Sequence, residues 1–193
     1  TNEDGTYTDK ALEYGIDDTL QNGRGTALSD ISYNGSLDLI VGNWNGFHRI
    51  YTHEKNTFVD TAPLNFREPS KIRTVISADF DNDGFDEIFL NNIGQPNKLF
   101  RILDNNKLEQ LELTNALEKT GLGTGAAVAD LNGDGILELL IAHGESAPQP
   151  LSLFSANVNH DFQYLRIEPR NTFNAPARGA TVLLKTNLRT HAK

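Results

Sequence analysis

Ile76-Ser77-Ala78-Asp79-Phe80-Asp81-Asn82-Asp83-Gly84-Phe85-Asp86-Glu87-Ile88-Phe89-Leu90 decides the fold of this chain. Small and β-branched residues lead into it, acidic residues crowd its centre, and a strongly β-forming apolar run leaves it. The same phrase occurs twice more, as Ala27 to Val41 and as Ala127 to Ile141. Its first aspartates, Asp30, Asp79 and Asp130, are spaced 49 and 51 residues apart. Self-similarity at a period of about 50 marks a repeat architecture, in which each copy is one supersecondary unit.

Each unit reads as four short strands. A small-residue strand (Thr26–Asp30, Val75–Asp79, Ala126–Asp130) enters the acidic loop, and a β-forming run (Leu37–Val41, Glu87–Leu90, Leu137–Ile141) leaves it. Past a Gly- or Pro-bearing turn come a third strand (His48–Thr52, Lys98–Ile102, Leu151–Phe154) and a fourth (Thr57–Asp60, Lys107–Leu113, Phe162–Ile167). Four antiparallel strands per repeat of this length make a β-propeller blade, whereas a sandwich has no reason to repeat. The fold class is therefore all-β, with three full blades over residues 24–71, 72–122 and 123–168. Residues 1–23 read as the end of a preceding blade and its connector, because Gly5-Thr6-Tyr7-Thr8-Asp9 matches Asn56-Thr57-Phe58-Val59-Asp60. An orphan strand is thus expected at Thr6–Asp9. Helix is confined to a turn or two at Asp9–Tyr14 and Asn115–Lys119. Three blades and one strand fall short of the ~4–8 that close a ring, so the expectation is a stretch of a larger propeller, or a ring completed by another copy through its open edges.

Composition narrows the ligand. Of 193 residues, 17 are basic and 26 acidic, a net charge of −9, which disfavours nucleic acid or an anionic membrane surface and favours cations. No apolar run approaches the ~20 residues of a membrane span, so membrane insertion is not expected. The chain has no cysteine, which removes disulfides and thiolate metal sites together. Calcium, bound by hard oxygen ligands, can staple an extracellular protein without disulfides.

The loops supply those ligands. Counting from the first aspartate, positions 1, 3 and 5 are Asp79, Asp81 and Asp83 in the second loop and Asp130, Asn132 and Asp134 in the third. Alternate oxygen-bearing side chains on a tight loop converge, glycine at position 6 permits the turn, and position 7 (Phe85, Ile136) offers a backbone carbonyl. This half resembles an EF-hand, but position 12 is Leu90 or Ile141 where that motif needs glutamate. The closing carboxylate stands at position 9 instead, as Glu87 and Glu138. The first loop is poorer, with Asp30, Ser32, Asn34, Ser36 and Asp38 at the corresponding places. Carboxylate count ranks the second loop strongest and the first weakest, and an ordinary Asn-Gly turn is an equal reading of the first. Magnesium fits less well, since it wants a small octahedral shell and keeps its waters.

These loops resemble FG-GAP/VCBS repeats, the calcium-loop blades also found in integrin α-subunit propellers. The phrases Gly42 to Tyr51, Arg73 to Asp83 and His143 to Ser152 resemble the cartilage acidic protein family, and the likeness runs from about Gly5 to Leu184. Residues 169–193 resemble the start of the ASPIC/UnbV module that follows the propeller in that family. The resemblance implies a secreted calcium-binding propeller, located outside the cell and acting as a matrix, adhesion or interaction protein without catalysis, with a protein or glycan partner at the cell surface or matrix. Animal members carry a cysteine-rich extension absent here. The cysteine-free composition looks more like microbial relatives, so the animal roles do not transfer.

Two rival functions remain at this level. A lectin would use Trp44, between Asn43 and Asn45, to stack on a sugar, although a lone Trp at a blade turn more often packs on its neighbour. A propeller hydrolase or lyase would need a catalytic constellation, but His48, His53, His143, His160 and His191 are scattered and no nucleophile elbow is present. Gly121-Leu122-Gly123-Thr124-Gly125-Ala126 leads into a strand, where a dinucleotide fingerprint leads into a helix. Asn34-Gly35-Ser36 matches a glycosylation acceptor, set inside the first loop.

Overall fold

The computed structural model describes residues 5–103, 107–145, 147–156, 164–185 and 190–192. Two four-stranded antiparallel sheets follow each other: β1 (Gly23–Ser29) to β4 (Thr57–Asp60) through β2 (Asp38–Asn43) and β3 (Arg49–Glu54), then β5 (Ile72–Ala78), β6 (Glu87–Asn92), β7 (Lys98–Leu103) and β8 (Lys107–Leu111). The third sheet contains β9 (Gly123–Ala129), β10 (Glu138–His143) and β11 (Ser152–Ser155), and a hairpin of β12 (Leu183–Lys185) and β13 (Thr190–Ala192) lies downstream. Strand order within each sheet follows the chain, so these are blades, and the expected all-β propeller class holds. The short helix α1 (Ala11–Tyr14) and a 3₁₀ turn at Asn115–Leu117 fall inside the two expected helical stretches.

Two expectations are corrected. Among the described residues Thr6–Asp9 joins none of the sheets and is exposed, so the orphan strand expected there is not formed. The fourth strand of the third blade was expected at 162–167. Residues 162 and 163 lie outside the described residues, and 164–167 carry no strand; instead Tyr164 and Arg166 lie against the third loop.

The blades stack face to face, β1 on β5 and β5 on β9. Every residue of β6 is buried, and its side chains alternate between two cores. Ile88 and Leu90 join Ile40, Ile50, Phe66, Ile72 and Phe100 between the first two blades. Phe89 joins Leu139 and Ile141 between the second and third. A continuous apolar run in the sequence is thus a strand covered on both sides. Close approach explains the glycines that open β1 and β9: a Cβ on Gly25 would lie 2.7 Å from the Val75 nitrogen, and one on Gly123 would lie 2.2 Å from Asn91 Oδ1. The first strands therefore begin three residues earlier than their small-residue pattern suggests.

Polar side chains pin the seam between the first two blades. His48 is fully buried, and its Nδ1 accepts the Asn43 N–H at 3.0 Å. The ring proton consequently sits on Nε2, which donates to Ser70 Oγ at 3.0 Å, and that hydroxyl donates to Asn92 Oδ1 at 2.7 Å. Burial, helped by Lys98, pushes the His48 pKa down to about 4. In the second blade Asn97 takes the same part, its Oδ1 accepting the Asn92 N–H at 2.8 Å. The sequence reading of His48 as a strand or turn residue missed this buried network. Trp44 also belongs to the seam. Its backbone bridges to Ser70, and the Arg73 guanidinium lies 4.5 Å from its ring centroid.

Candidate metal centre

One register builds all three loops. Ser29 pairs with Asp38, Ala78 with Glu87 and Ala129 with Glu138, so the position 9 carboxylate always faces the residue that precedes the loop. In each loop that carboxylate accepts an N–H from just after the first aspartate, at position 3 in the first loop and position 2 in the other two: Ser32 to Asp38, Phe80 to Glu87, and Leu131 to Glu138, at 2.8, 3.0 and 2.8 Å. Position 1 gathers N–H groups from further round the turn. Asp30 accepts from Asn34 and Gly35, Asp79 from Asp83 and Gly84, and Asp130 from Gly133 and Gly135. The curl requires left-handed backbone at position 4, where φ is 52° at Tyr33, 57° at Asn82 and 82° at Gly133.

The second loop draws its acids together. Carboxylate oxygens of Asp79, Asp81 and Glu87 lie within 4.8 Å of one another. Two oxygens on one calcium ion, each at about 2.3–2.6 Å, can be no more than about 5 Å apart, so the spacing fits. Glu87 is 1% exposed, and its Oε1 has no hydrogen-bond partner among the described residues. Burial foremost, then Asp81 with Asp83 and Asp79, pushes the Glu87 carboxyl up to about 8, against the pull of the Phe80 N–H. A buried acceptor without a donor, among like charges, is the environment a cation relieves. All the donors are hard oxygens, as calcium prefers. Asp83 is outside the converged group; it is exposed and its Oδ1 accepts the Phe85 N–H at 2.8 Å. Phe85 stacks edge-on against Tyr33 of the first loop, ring centroids 4.8 Å apart.

The third loop is arranged differently. The Asn132 amide donates to Asp134 Oδ2 at 3.0 Å and to Glu138 Oε1 at 3.4 Å, filling the space between them, while Asp134 Oδ1 accepts the Ile136 N–H. Asp130, besides its two loop N–H groups, accepts from Arg166 at 2.8 Å. Hydrogen bonds shape the first loop: the fully buried Asp38 accepts the Ser32 and His53 N–H groups, and Asn34 is tied to Ser36 and the His53 carbonyl. A side chain one methylene shorter than glutamate keeps Asp38 on the backbone. Among the described residues, neither of these loops brings three carboxylates together.

One residue of the second loop's surroundings escaped the sequence reading. Arg101, on β7, forms an ion pair with Asp81, and its Nε lies 3.8 Å from Glu87 Oε1. Register would have found it, because Ile88 pairs with Phe100 as Leu39 pairs with Tyr51 and Leu139 with Phe154. Arg101 therefore corresponds to Thr52 and Ser155.

Comparison with known proteins agrees with this geometry. The profile of the FG-GAP-like repeat matches residues 30–90 and 79–141, and both matches open on the first aspartate of a loop. The chain belongs to the FG-GAP-like repeat family. It is 48% identical over 195 residues to human cartilage acidic protein 1, a match covering 95% of this chain and 30% of that protein. The mouse protein of the same name is 46% identical, with 94% of this chain and 30% of its own length covered. The expected likeness to the cartilage acidic protein family is thereby borne out. The FG-GAP chain spans about 30% of the length of these curated relatives.

Proposed function

We propose that this FG-GAP chain is a calcium-stabilised stretch of an extracellular interaction propeller. The single observation that carries the reading is the second loop, where Glu87 Oε1 is buried beside Asp79 and Asp81 without a hydrogen bond among the described residues. Asp79, Asp81 and Glu87 would hold the ion, which supplies positive charge and no chemistry. Asp79 ends the first strand side of the loop and Glu87 begins the second, so the metal would fasten β5 to β6. The third loop, where the Asn132 amide donates to both Asp134 and Glu138, would bind more weakly, and the first would hold least.

Kinship with proteins named cartilage acidic protein supports the interaction role, in the extracellular matrix or at the cell surface and with a protein partner. We read it as a binding module and not as an enzyme. The sugar-stacking alternative loses ground because Arg73 occupies the space above the Trp44 ring. Isothermal titration of calcium into chelator-stripped, folded protein tests the reading. Saturable binding that Asp81→Asn weakens is expected. No heat, with no bound metal by elemental analysis, would remove it.

A further inference from the structure

At one register position on the third strand, the first and third blades carry a neutral hydroxyl and the second a guanidinium. Ser155 donates to Glu138 Oε1 at 3.3 Å, and Thr52, at the same register, shares a hydrogen bond of 2.7 Å with Thr61. Arg101 stands at this place in the second blade, with its NH2 group on Asp81 and its Nε 3.8 Å from Glu87 Oε1. That last distance is too long for a hydrogen bond. Both atoms are buried and lack a hydrogen-bond partner among the described residues. The guanidinium thus neutralises the cluster without satisfying it.

We propose that Arg101 is a built-in competitor for the cation, a residue that sets the calcium affinity of the second loop by occupying Asp81 when the metal is absent. This rests on the calcium reading of that loop. A positive charge on a ligand carboxylate opposes a divalent ion in two ways. It must release Asp81 or share it, and it repels the ion wherever it then sits. In return it offsets the mutual repulsion of Asp79, Asp81 and Glu87 in the metal-free protein, so the blade stays folded when calcium is scarce. The loop richest in carboxylates is the one whose third strand supplies an arginine, which brings its affinity back toward that of its neighbours.

Calcium titration and thermal unfolding of the full chain, as wild type, Arg101→Met and Arg101→Ser, test this. Methionine keeps an apolar stem and removes the charge; serine copies the third blade. Both variants are expected to bind calcium at the second loop about tenfold more tightly, the size of one unit charge acting on a divalent ion about 5 Å away at the dielectric of water. The gain should shrink at high salt. Both should melt lower than wild type in chelator and show a larger upward shift on adding calcium. An arginine that only braces the fold would give equal losses in chelator and in calcium with unchanged affinity, and that result overturns the proposal. Absence of calcium binding in all three proteins overturns the calcium reading itself, and Arg101's role with it.

Discussion

Asn82 Nδ2 donates to the Gly135 carbonyl at 2.8 Å, joining position 4 of the second loop to position 6 of the third. Asn82 can reach because its backbone is left-handed, with φ 57°, a conformation asparagine tolerates better than most residues. The third loop has Gly133 at the same position. Asn82→Gly therefore keeps the turn and deletes only the link between blades. A loss of about 1 kcal/mol is expected, the net worth of one hydrogen bond, measured by urea unfolding. No loss would show that the contact is dispensable.

Calcium should stabilise the fold through the second loop. A ligand at about 100 times its dissociation constant adds about 2.7 kcal/mol per site, so melting temperature should rise with calcium and fall with chelator. The informative quantity is the calcium-induced shift within each variant. Asp79→Ala and Asp81→Ala should abolish most of it, whereas Ser32→Ala, at a buried hydroxyl with no hydrogen-bond partner among the described residues, should leave it intact. Equal shifts in all three variants would count against the assignment.

Acid should weaken the seam at His48. The folded pKa of about 4 lies below the ordinary 6.5, so the unfolded chain takes up the proton first. The His48 contribution is fully present above about pH 6.5, declines as pH falls from there to about 4, and is flat below that. The total is about 3 kcal/mol, taking 1.36 kcal/mol per unit. His48→Asn borrows the side chain that Asn97 uses to accept the equivalent N–H. Its stability should fall less steeply than that of wild type between pH 6.5 and 4. Parallel curves for the two proteins would exclude His48 as the source.

Much of this fold is legible in the sequence because one physical unit is written three times. The loop spacing, the closing carboxylate at position 9 and the order of strands all follow from repetition, and Thr57–Asp60 forms β4 as expected. Contacts between units are hidden, since period and alternation describe one blade at a time. The role of Arg101 emerges only when the blades are superposed by register, and the His48–Ser70–Asn92 chain only when two blades meet. Thr6–Asp9 misleads for a related reason: its residues match β4, yet a match in pattern does not by itself put a segment into a sheet. Likewise, counting carboxylates ranks the third loop close to the second, yet Asn132 donates into its centre and Asp130 is paired with Arg166.

The outer blade faces should drive self-association of this chain. Leu28 on β1 is 62% exposed, and on the third blade Leu140 and Leu153 are 38% and 57% exposed, on the face opposite the buried Leu139 and Ile141. Such surfaces, in an architecture built by face-to-face stacking, are sticky. Light scattering after size exclusion in calcium should give a mass above 21.3 kDa. Leu140→Lys with Leu153→Lys should lower that mass. A monodisperse monomer of the unaltered chain would refute this expectation.

The central claim, that the second loop holds calcium, is tested most directly by a crystal structure at saturating calcium with anomalous difference density. The account requires a peak about 2.4 Å from oxygens of Asp79, Asp81 and Glu87, with the Arg101 guanidinium drawn away from Asp81. A loop without density, its arginine still seated on Asp81, would contradict it.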